Sequence, residues 1–375
     1  MHRSINLVRS GGMYGVITPS SFLTQSSYEK LRRLLSSFQI DSIVRTPDDV
    51  FEGVVAETAI SVYSKKSPAR PVDILIYPNR AKIDQVSTLN CSQKRAVDQL
   101  SWANAPGGNF NLQLDNSTQL ILEKISGSGI PLIEICDFCL GLTPYDKAKG
   151  HTPKEIEDRV FHSTHQSGKA WKPLLEGADI NRYDVSFGGN EYIKYGPWLG
   201  APRDSRFFTE PRILVRQIIS GKPPRIYAGY TENELYNSQV AFNILSKTGD
   251  TAVLKFILAI LCSSLMTWYH RQKFLDLNKT TFQKILIQDA KTFPIPKIKE
   301  IEGDTYKRLI GIVERRLALM PSIRTAKTDA ERNALQNAIR KTDRDIDQLV
   351  YQLYGLTPEE IALVEGIAAN SETVE

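Results

Sequence analysis

The feature that most constrains this chain is a strand, helix, strand, strand pattern near its N-terminal end. Gly11-Gly12 is a turn signal, and the β-compatible run Met13 to Thr18 follows it. Ile40 to Thr46 and Thr58 to Tyr63 are typical of two more buried strands. A fragment of this size cannot cover both faces of its own sheet. We therefore expect residues 11–63 to be the closing part of a doubly wound sheet, with the opening part supplied upstream or by a partner.

Between the first two predicted strands, the sequence favours an amphipathic helix. Ser26 and Glu29 have the spacing of a capping box, in which Ser26 caps the helix and Glu29 reaches back. The apolar positions recur at helical spacing and are Tyr28, Leu31, Leu34, Leu35 and Phe38.

The basic charge of the chain is unevenly placed. The net charge is +5, but residues 141–300 alone hold 23 Lys and Arg against 16 Asp and Glu, a balance of +7. The same stretch holds Trp171, Trp198 and Trp268 and eight of the fifteen tyrosines. Cations interleaved with aromatics suit a nucleic-acid surface, because Lys and Arg meet phosphates while rings stack on bases. A basic globular domain with an aromatic core explains the same numbers, and charge alone favours it.

The amino-acid composition limits which class of protein the chain can belong to. A hydrophobic content of 41% is typical of a globular chain. No apolar run approaches the roughly 20 residues that span a bilayer. Four cysteines in 375 residues do not form a disulfide framework. We therefore expect a cytoplasmic protein that does not insert into a membrane.

The positions of turn-forming and helix-breaking residues predict three domains. The basic, proline-bearing link at residues 64–72 closes a first domain at 1–66. Residues 67–300 form a mixed second domain that contains one long helix, Ala252–Trp268. Residues 301–375 form a helical hairpin and tail, in which Pro321 stops the first helix. Thr152, Thr328 and Thr357 each have the signal of a helix N-cap.

Two cysteines and two histidines superficially resemble a metal site. The pattern Cys136-x-x-Cys139 is followed by His162-x-x-His165. The two histidines are one residue closer to each other than in the usual zinc-ligand spacing. Cys136 lies in an apolar run, where a cysteine is commonly a small buried hydrophobe. We predict no metal, and we expect His151, His162 and His165 to be solvated.

The chain carries no persuasive active site of its own. Gly127-Ser128-Gly129 lacks the third glycine and the strand–helix context of a dinucleotide loop, so it is interpreted as a turn. No serine nucleophile elbow occurs in the sequence.

The order of several short motifs resembles a known family. Each motif is weak alone, but together they follow the family order along nearly the whole chain. The motifs are Gly11-Gly12-x-x-Gly15-x-Ile17-x-Pro19, Tyr28-x-x-Leu31-Arg32, Val50-Phe51, Glu57-Thr58-Ala59-Ile60, Pro173 to Tyr183, Trp198 to Arg203, Pro211 to Gln217, Leu258 to Leu265, Phe293 to Pro296 and Leu349 to Leu356. The first four resemble the end of the catalytic domain in Eco57I-type and TaqI-type adenine-specific DNA methyltransferases of restriction–modification systems. The others resemble a TaqI-like C-terminal specificity domain.

The resemblance implies a fold and a function. The fold class is α/β, α+β overall: the tail of a doubly wound methyltransferase sheet, a mixed α+β target-recognition domain and a helical hairpin. The family transfers a methyl group from S-adenosylmethionine to the amine of a flipped adenine. Its cofactor loop and its Asn/Asp-Pro-Pro-Tyr/Phe motif are absent here, so we expect this chain alone to be inactive. The upstream methyltransferase or nuclease polypeptide is the expected partner, together with double-stranded DNA.

The resemblance also directs attention to particular residues. Phe51 lies where the family places an aromatic residue that stacks on the flipped adenine, although a core phenylalanine is the simpler interpretation. Cationic residues of the specificity region are candidate DNA contacts, because arginine pairs bidentately with guanine or phosphate. These candidates are Lys169, Lys172, Arg182, Arg203, Arg212, Arg216, Lys222, Arg225 and Lys279.

Two other functions remain open from the sequence. The chain could be a non-catalytic assembly module, in which the helical hairpin binds other proteins and the basic surface is incidental. It could also be an unrelated α/β enzyme, but that function needs a cofactor loop that the sequence lacks.

Overall fold

The computed structural model describes the chain except for residues 48–49, 52–55, 78–90, 92, 105, 113–115, 220, 222–223, 276–283, 302 and 367–375. The chain divides into two compact units, here called the N-terminal unit (1–120) and the C-terminal unit (121–375).

The N-terminal unit is built on one five-stranded sheet. Its elements are α1 (His2–Leu7), β1 (Met13–Pro19), α2 (Glu29–Ser36), β2 (Gln39–Arg45), β3 (Thr58–Ser64), β4 (Val72–Ile76), β5 (Gln93–Val97) and α3 (Gln99–Asn104). The strand order is β1-β3-β2-β4-β5. Because β3 runs antiparallel to both β1 and β2, those two strands run in the same direction, with α2 between them in the chain. The predicted strand, helix, strand, strand pattern is confirmed.

The two faces of this sheet differ in how they are covered. Leu35 of α2 packs with Ile43, Tyr63, Ile74 and Phe110 in one buried cluster. On the opposite face, four aliphatic side chains are aligned across four strands by the backbone register. This aliphatic row consists of Ile17, Ile60, Val44 and Leu75. Ile17 is 43% exposed and Ile60 is 38% exposed. Both side chains are therefore partly open to solvent.

The start of α2 differs from the prediction. The helix begins at Glu29 after a 3-10 turn, and its N-cap residue Tyr28 makes no side-chain capping bond. Instead of reaching back, the Glu29 carboxylate pairs with Arg33 at 2.8 Å, one turn ahead. The helix therefore starts later than predicted, and the Ser26 side chain, the other half of the predicted capping box, lies outside the described residues.

The link at residues 64–72 does not end the sheet. It joins β3 to β4, and β4 pairs in parallel with β2. The predicted boundary at 66/67 thus falls between two strands of one sheet, and the compact unit continues to residue 120. The boundary at 300/301 likewise falls inside the C-terminal unit. Local composition marks the turn correctly but cannot show which strand the next segment will pair with.

The C-terminal unit contains two four-stranded sheets and a group of helices. Its elements are α4 (Asn116–Gly127, within which the division lies), β6 (Ile130–Pro131), α5 (Leu132–Ile135), β7 (Cys136–Leu140), α6 (Pro153–Glu157), β8 (His162–Ser163), β9 (Trp171–Leu175), β10 (Ile180–Asn181), β11 (Asp184–Val185), β12 (Tyr192–Lys194), α7 (Arg206–Thr209), β13 (Arg212–Arg216), β14 (Ala228–Thr231), β15 (Tyr236–Asn237), β16 (Ala241–Ser246), α8 (Thr251–Cys262), α9 (Ser264–Phe274), α10 (Ile287–Lys291), β17 (Pro294–Ile295), α11 (Gly303–Thr325), α12 (Asp329–Leu353) and α13 (Pro358–Glu365). The sheet orders are β15-β9-β12-β8 and β14-β13-β16-β7, with two short pairs, β10-β11 and β17-β6.

The predicted single helix Ala252–Trp268 is two helices. Ser263 is extended, and its hydroxyl caps α9 by accepting from the Met266 N–H at 3.1 Å, so the chain bends by 63°. Among the described residues no single helix is long and apolar enough to cross a membrane, although α8 and α9 pass that test as a bent pair. Most of α8 is buried inside the protein. It packs against β14, β13 and β16.

The helical hairpin is α11 and α12, and its first helix does not stop at Pro321. It continues to Thr325, because a proline near a helix end removes only one late backbone bond. The Thr328 hydroxyl then caps α12 by accepting from the Glu331 N–H at 3.1 Å. The predicted N-caps at Thr152 and Thr357 are also confirmed, each with a full capping box.

A network of arginines and aspartates joins the hairpin to the β-structure of the C-terminal unit. Asp343 of α12 accepts from Arg182 at 2.9 Å and from Arg316 of α11 at 3.1 Å. Arg324 of α11 donates to Asp184 of β11 at 2.6 Å. The docking network is the set formed by Asp343, Arg182, Arg316, Arg324 and Asp184. The Arg316 side chain is only 5% exposed, so water cannot replace a missing partner easily.

Replacing Asp343 by alanine should destabilise the C-terminal unit. The change leaves Arg182 and Arg316 without their shared carboxylate, and an uncompensated buried charge costs about 3 kcal/mol. Urea unfolding of wild type and variant measures the change in midpoint and slope.

Asp345→Ala is the matched control. Asp345 lies one half-turn away on α12 and makes no ion pair among the described residues, so its loss should change stability by less than about 0.5 kcal/mol. Equal midpoints for the two variants would contradict a structural role for the docking network.

Candidate nucleic-acid interface

Arg212 is part of the protein interior. It lies on β13 with 0% exposure, and its guanidinium donates to the carbonyls of Glu210, Asn233 and Leu235 at 2.9, 3.0 and 2.6 Å. Burial lowers its pKa to about 10. A guanidinium committed to three internal carbonyls cannot reach DNA. Its prediction as a DNA contact is therefore corrected: Arg212 holds the 233–235 turn against the sheet.

Arg182 and Arg225 also donate to groups within the protein. Arg182 donates to Asp343 and to the Cys262 carbonyl at 2.9 Å. Burial is the largest single influence on the pKa of Arg182 and lowers it, but Asp343, Cys262, Tyr183 and Asp347 together outweigh burial, so the pKa is raised. Arg225 donates to the Ser264 hydroxyl at the start of α9. We correct the prediction for Arg182, whose guanidinium is committed to internal partners; Arg225 is half-buried, and its contact with DNA stays a prediction.

The remaining candidates have mixed positions. Lys169 is exposed, whereas Lys172 of β9 pairs with Glu234 at 2.7 Å. Arg203 has a left-handed backbone (φ +65°), and its Nε lies 3.5 Å from the Gly141 carbonyl. Lys222 and Lys279 lie outside the described residues. Of the three candidates that the structure describes here, Lys169 is exposed, whereas Lys172 and Arg203 are half-buried.

Phe51 lies in the N-terminal unit and is 45% exposed. It is therefore not the core phenylalanine of the simpler interpretation. Its ring is accessible, as stacking on a base would require, and that role stays a prediction.

Arg216 lies at the end of β13 and opens onto a concave surface. This surface, here called the groove, has a volume of about 420 Å³. Its lining combines two cations, two amides and small hydroxyls with aliphatic walls. The lining residues are Leu142, Thr143, Pro144, Gly177, Arg216, Gln217, Ile218, Ser238, Gln239, Val240 and Lys284.

Close backbone contacts build the groove. A Cβ on Gly141 would lie 1.9 Å from the Ser238 carbonyl oxygen, so glycine is required for the chain to approach the 238–240 loop. Gln217 is held on both sides of its backbone: its N–H donates to the Val240 carbonyl at 2.9 Å, and its carbonyl accepts from the Ile285 N–H at 2.8 Å. The groove is thus fixed by main-chain bonds between segments distant in sequence.

The charge of the groove is positive. Arg216 is oriented by the Gly177 carbonyl at 3.3 Å and by the Tyr227 ring, whose centre is 4.8 Å away. Lys284 is exposed and makes no ion pair within the described part of the chain. The described lining includes no aspartate or glutamate. Such a surface attracts a polyanion, while its amides can form hydrogen bonds with base edges.

Sequence reasoning found Arg216 but missed Gln217, Gln239 and Lys284. An exposed amide has no distinctive pattern in a sequence, because glutamine is common on any surface. A positional signal was available for Gln217, which directly follows the buried strand β13.

The cysteines and histidines do not converge. Cys136 is buried on β7, and burial raises the pKa of its thiol to about 12. His162 lies on β8 in the other four-stranded sheet and contacts Glu191 at 3.0 Å. Its pKa is lowered by burial. His151 contacts the Asp146 backbone and the Trp198 carbonyl at 2.8 Å, so the expectation that it is merely solvated is wrong. Within the described ranges, no group of three or more His, Cys, Asp or Glu side chains could hold a metal ion.

Comparisons with known proteins agree with this architecture. Residues 172–295 match the TaqI-like C-terminal specificity domain. A Methanocaldococcus jannaschii protein that carries the name of a type II restriction enzyme and methyltransferase is 23% identical over 362 residues, which are 95% of this chain and 28% of that protein. The chain therefore spans well under two thirds of this relative.

Two solved structures extend the comparison. The type IIL restriction–modification enzyme MmeI, solved in complex with DNA, is 13% identical to this chain, with a TM-score of 0.57. The match covers 97% of this chain and 50% of the MmeI chain. The type IIG restriction endonuclease BpuSI is 14% identical, with a TM-score of 0.38. The match covers 95% of this chain and 49% of the BpuSI chain. The resemblance and the mixed α/β fold class predicted from the sequence are confirmed.

Gly141→Ala should destabilise the C-terminal unit and distort the groove. The added methyl group would overlap the Ser238 carbonyl, and overpacking of this kind costs about 1–3 kcal/mol. Urea unfolding gives the free energy.

Gly127→Ala is the control, because a Cβ at Gly127 meets nothing within 4 Å. That variant should be neutral or slightly more stable. If both alanine variants unfold at the same midpoint, the close approach of Gly141 to Ser238 does not constrain the fold.

Proposed function

We propose that this chain recognises specific sequences in double-stranded DNA as the C-terminal part of an adenine-N6 DNA methyltransferase of a restriction–modification system. The observation that carries this proposal is the groove: a concave surface with Arg216, Lys284 and two amides, most of it inside the segment that matches a specificity domain. Cations supply affinity through phosphates, and amides supply discrimination through bases.

Several sequence candidates remain in the proposed DNA surface. Lys169, Lys172, Arg203 and Arg216 lie in the C-terminal unit with at least part of each side chain accessible. Lys172 would have to leave Glu234 to meet a phosphate, a rearrangement that costs little for a partly exposed pair. Arg216 and Lys284 are the cations that line the groove itself.

We propose that the S-adenosylmethionine site lies outside this chain, and the pairing of one glycine turn supports this. Gly11 and Gly12 are the glycine pair nearest to a sheet strand, but their backbone is used within the protein. The Gly11 N–H donates to the Lys65 carbonyl at 2.9 Å, and the Gly12 carbonyl accepts from the Lys65 N–H at 2.8 Å. A loop whose polar groups are already paired cannot cradle a cofactor. We therefore assign no catalytic step to this chain.

We further propose that the remaining methyltransferase region packs on the aliphatic row of the N-terminal unit. An α/β sheet normally carries helices on both faces, and here Ile17, Ile60, Val44 and Leu75 present an apolar row on one face. The proposed occupant is an α/β polypeptide with the cofactor site, either upstream in the same chain or separate. In that assembly, Phe51 would be free to stack on a flipped adenine.

Removing the groove cations should weaken DNA binding in a salt-dependent way. For Arg216→Ala with Lys284→Ala, we expect the slope of log K against log salt to become shallower by about 2, because each phosphate contact contributes about 0.9. Fluorescence anisotropy with a labelled duplex at several salt concentrations measures this slope.

The matched control removes two exposed lysines of the helical hairpin, Lys307→Ala with Lys341→Ala. It has the same change in net charge, so its slope should stay at the wild-type value. An equal effect of both double variants would mean that net charge, and not the groove, governs binding.

The isolated chain should bind no S-adenosylmethionine. Isothermal titration calorimetry of the chain with the cofactor is expected to give no heat of binding, because the described glycine turn is closed. Binding with micromolar affinity would refute the division between a recognition part and a cofactor-binding part.

A further inference from the structure

We propose that Gln239 is a specificity-determining residue that reads an adenine base in the recognised duplex. This inference rests on the proposed DNA-recognition function and names one residue within it. Gln239 is exposed at the groove, on the loop between β15 and β16. Glutamine suits adenine, because its amide oxygen accepts from N6 and its amide nitrogen donates to N7.

The Gln239 amide is held in one orientation by a neighbour. Its Nε2 donates to the Thr143 hydroxyl oxygen at 2.9 Å. An amide nitrogen carries two hydrogens, so one remains available, and Oε1 keeps its full capacity to accept. Both groups needed for a bidentate contact with adenine are thus present. Fixing the side chain in advance also reduces the entropy lost when the base binds.

The loop that carries Gln239 is anchored on both sides. Ser238 packs directly on Gly141, and the Val240 carbonyl accepts from the Gln217 N–H at 2.9 Å. A rigid backbone places the amide reproducibly, which discrimination between bases requires. Gln217 lines the same groove, but it is half-buried and its side chain has no comparable orienting bond among the described residues. Gln239 is therefore the stronger candidate.

The surroundings of Gln239 favour contact with a base over contact with a phosphate. Arg216 and Lys284 line the same groove and supply charged donors for phosphates, so phosphate contact does not depend on Gln239. The hydrogen bond from the Gln239 amide to the Thr143 hydroxyl leaves the Gln239 side chain uncharged. The aliphatic side chains of Leu142, Ile218 and Val240 complete the lining. An uncharged amide between apolar walls discriminates between bases because a mismatched edge leaves it unpaired.

The experiment is selection of bound duplexes from a randomised pool, followed by sequencing of the bound fraction, for the full chain and its variants. The wild type should enrich a motif with at least one fixed adenine. Gln239→Ala should lose that preference by about tenfold or more at one position and keep the others. Thr143→Val removes the orienting hydroxyl and should weaken the preference at the same position to a smaller extent. Gln336→Ala, an exposed glutamine of α12, is the control and should keep the whole motif.

The outcomes separate this inference from the function on which it rests. An enriched motif that Gln239→Ala leaves unchanged, or one without a fixed adenine, overturns the role of Gln239 and leaves sequence recognition standing. A uniform loss of affinity across all sequences in Gln239→Ala also overturns it, because a backbone contact would behave in that way. If the wild type binds no duplex even at low salt, the proposed function falls and this inference falls with it.

Discussion

The C-terminal unit depends on one shared carboxylate. Asp343 binds Arg182 from the β-structure and Arg316 from the neighbouring helix, so a single side chain links three parts of the unit. Each arginine would be costly to bury without it. Asp347, one turn along α12, adds a second link by accepting from the Ser264 N–H at 2.7 Å. Burial raises the pKa of Asp347, although its bonds to Ser264 oppose that effect.

This network explains why several arginines that look suitable for DNA contact are used otherwise. Arg182 and Arg225 hold helices in place, and Arg212 holds a turn. The rigid frame they create carries the groove, where Arg216 is oriented by a ring and a carbonyl. Internal arginines and presented arginines therefore have complementary roles: the first group fixes the geometry on which the second group depends.

Sequence patterns predicted the regular elements well, and the environment of individual polar residues poorly. The strands β1, β2 and β3 follow from turn residues and apolar runs, which are local signals. Arg212 and Arg216 are the two ends of one apolar strand, and nothing local distinguishes them. Arg212 is internal because carbonyls of Asn233 and Leu235 converge on it, and a chain segment twenty residues away decides that. The bend at Ser263 was missed for a related reason, since a serine in an apolar run gives no sign that it will cap the next helix.

The groove also has a consequence for the timing of folding. Its lining is drawn from short segments spread between Leu142 and Lys284, and its backbone is closed by the bond from the Ile285 N–H to the Gln217 carbonyl. A chain emerging from the ribosome cannot make that bond until residue 285 is outside. A nascent or truncated chain that ends before residue 284 carries Arg216 but lacks both Lys284 and the backbone bond that closes the groove. The shape of the groove is thus set late in synthesis, after most of the residues that line it have already been made.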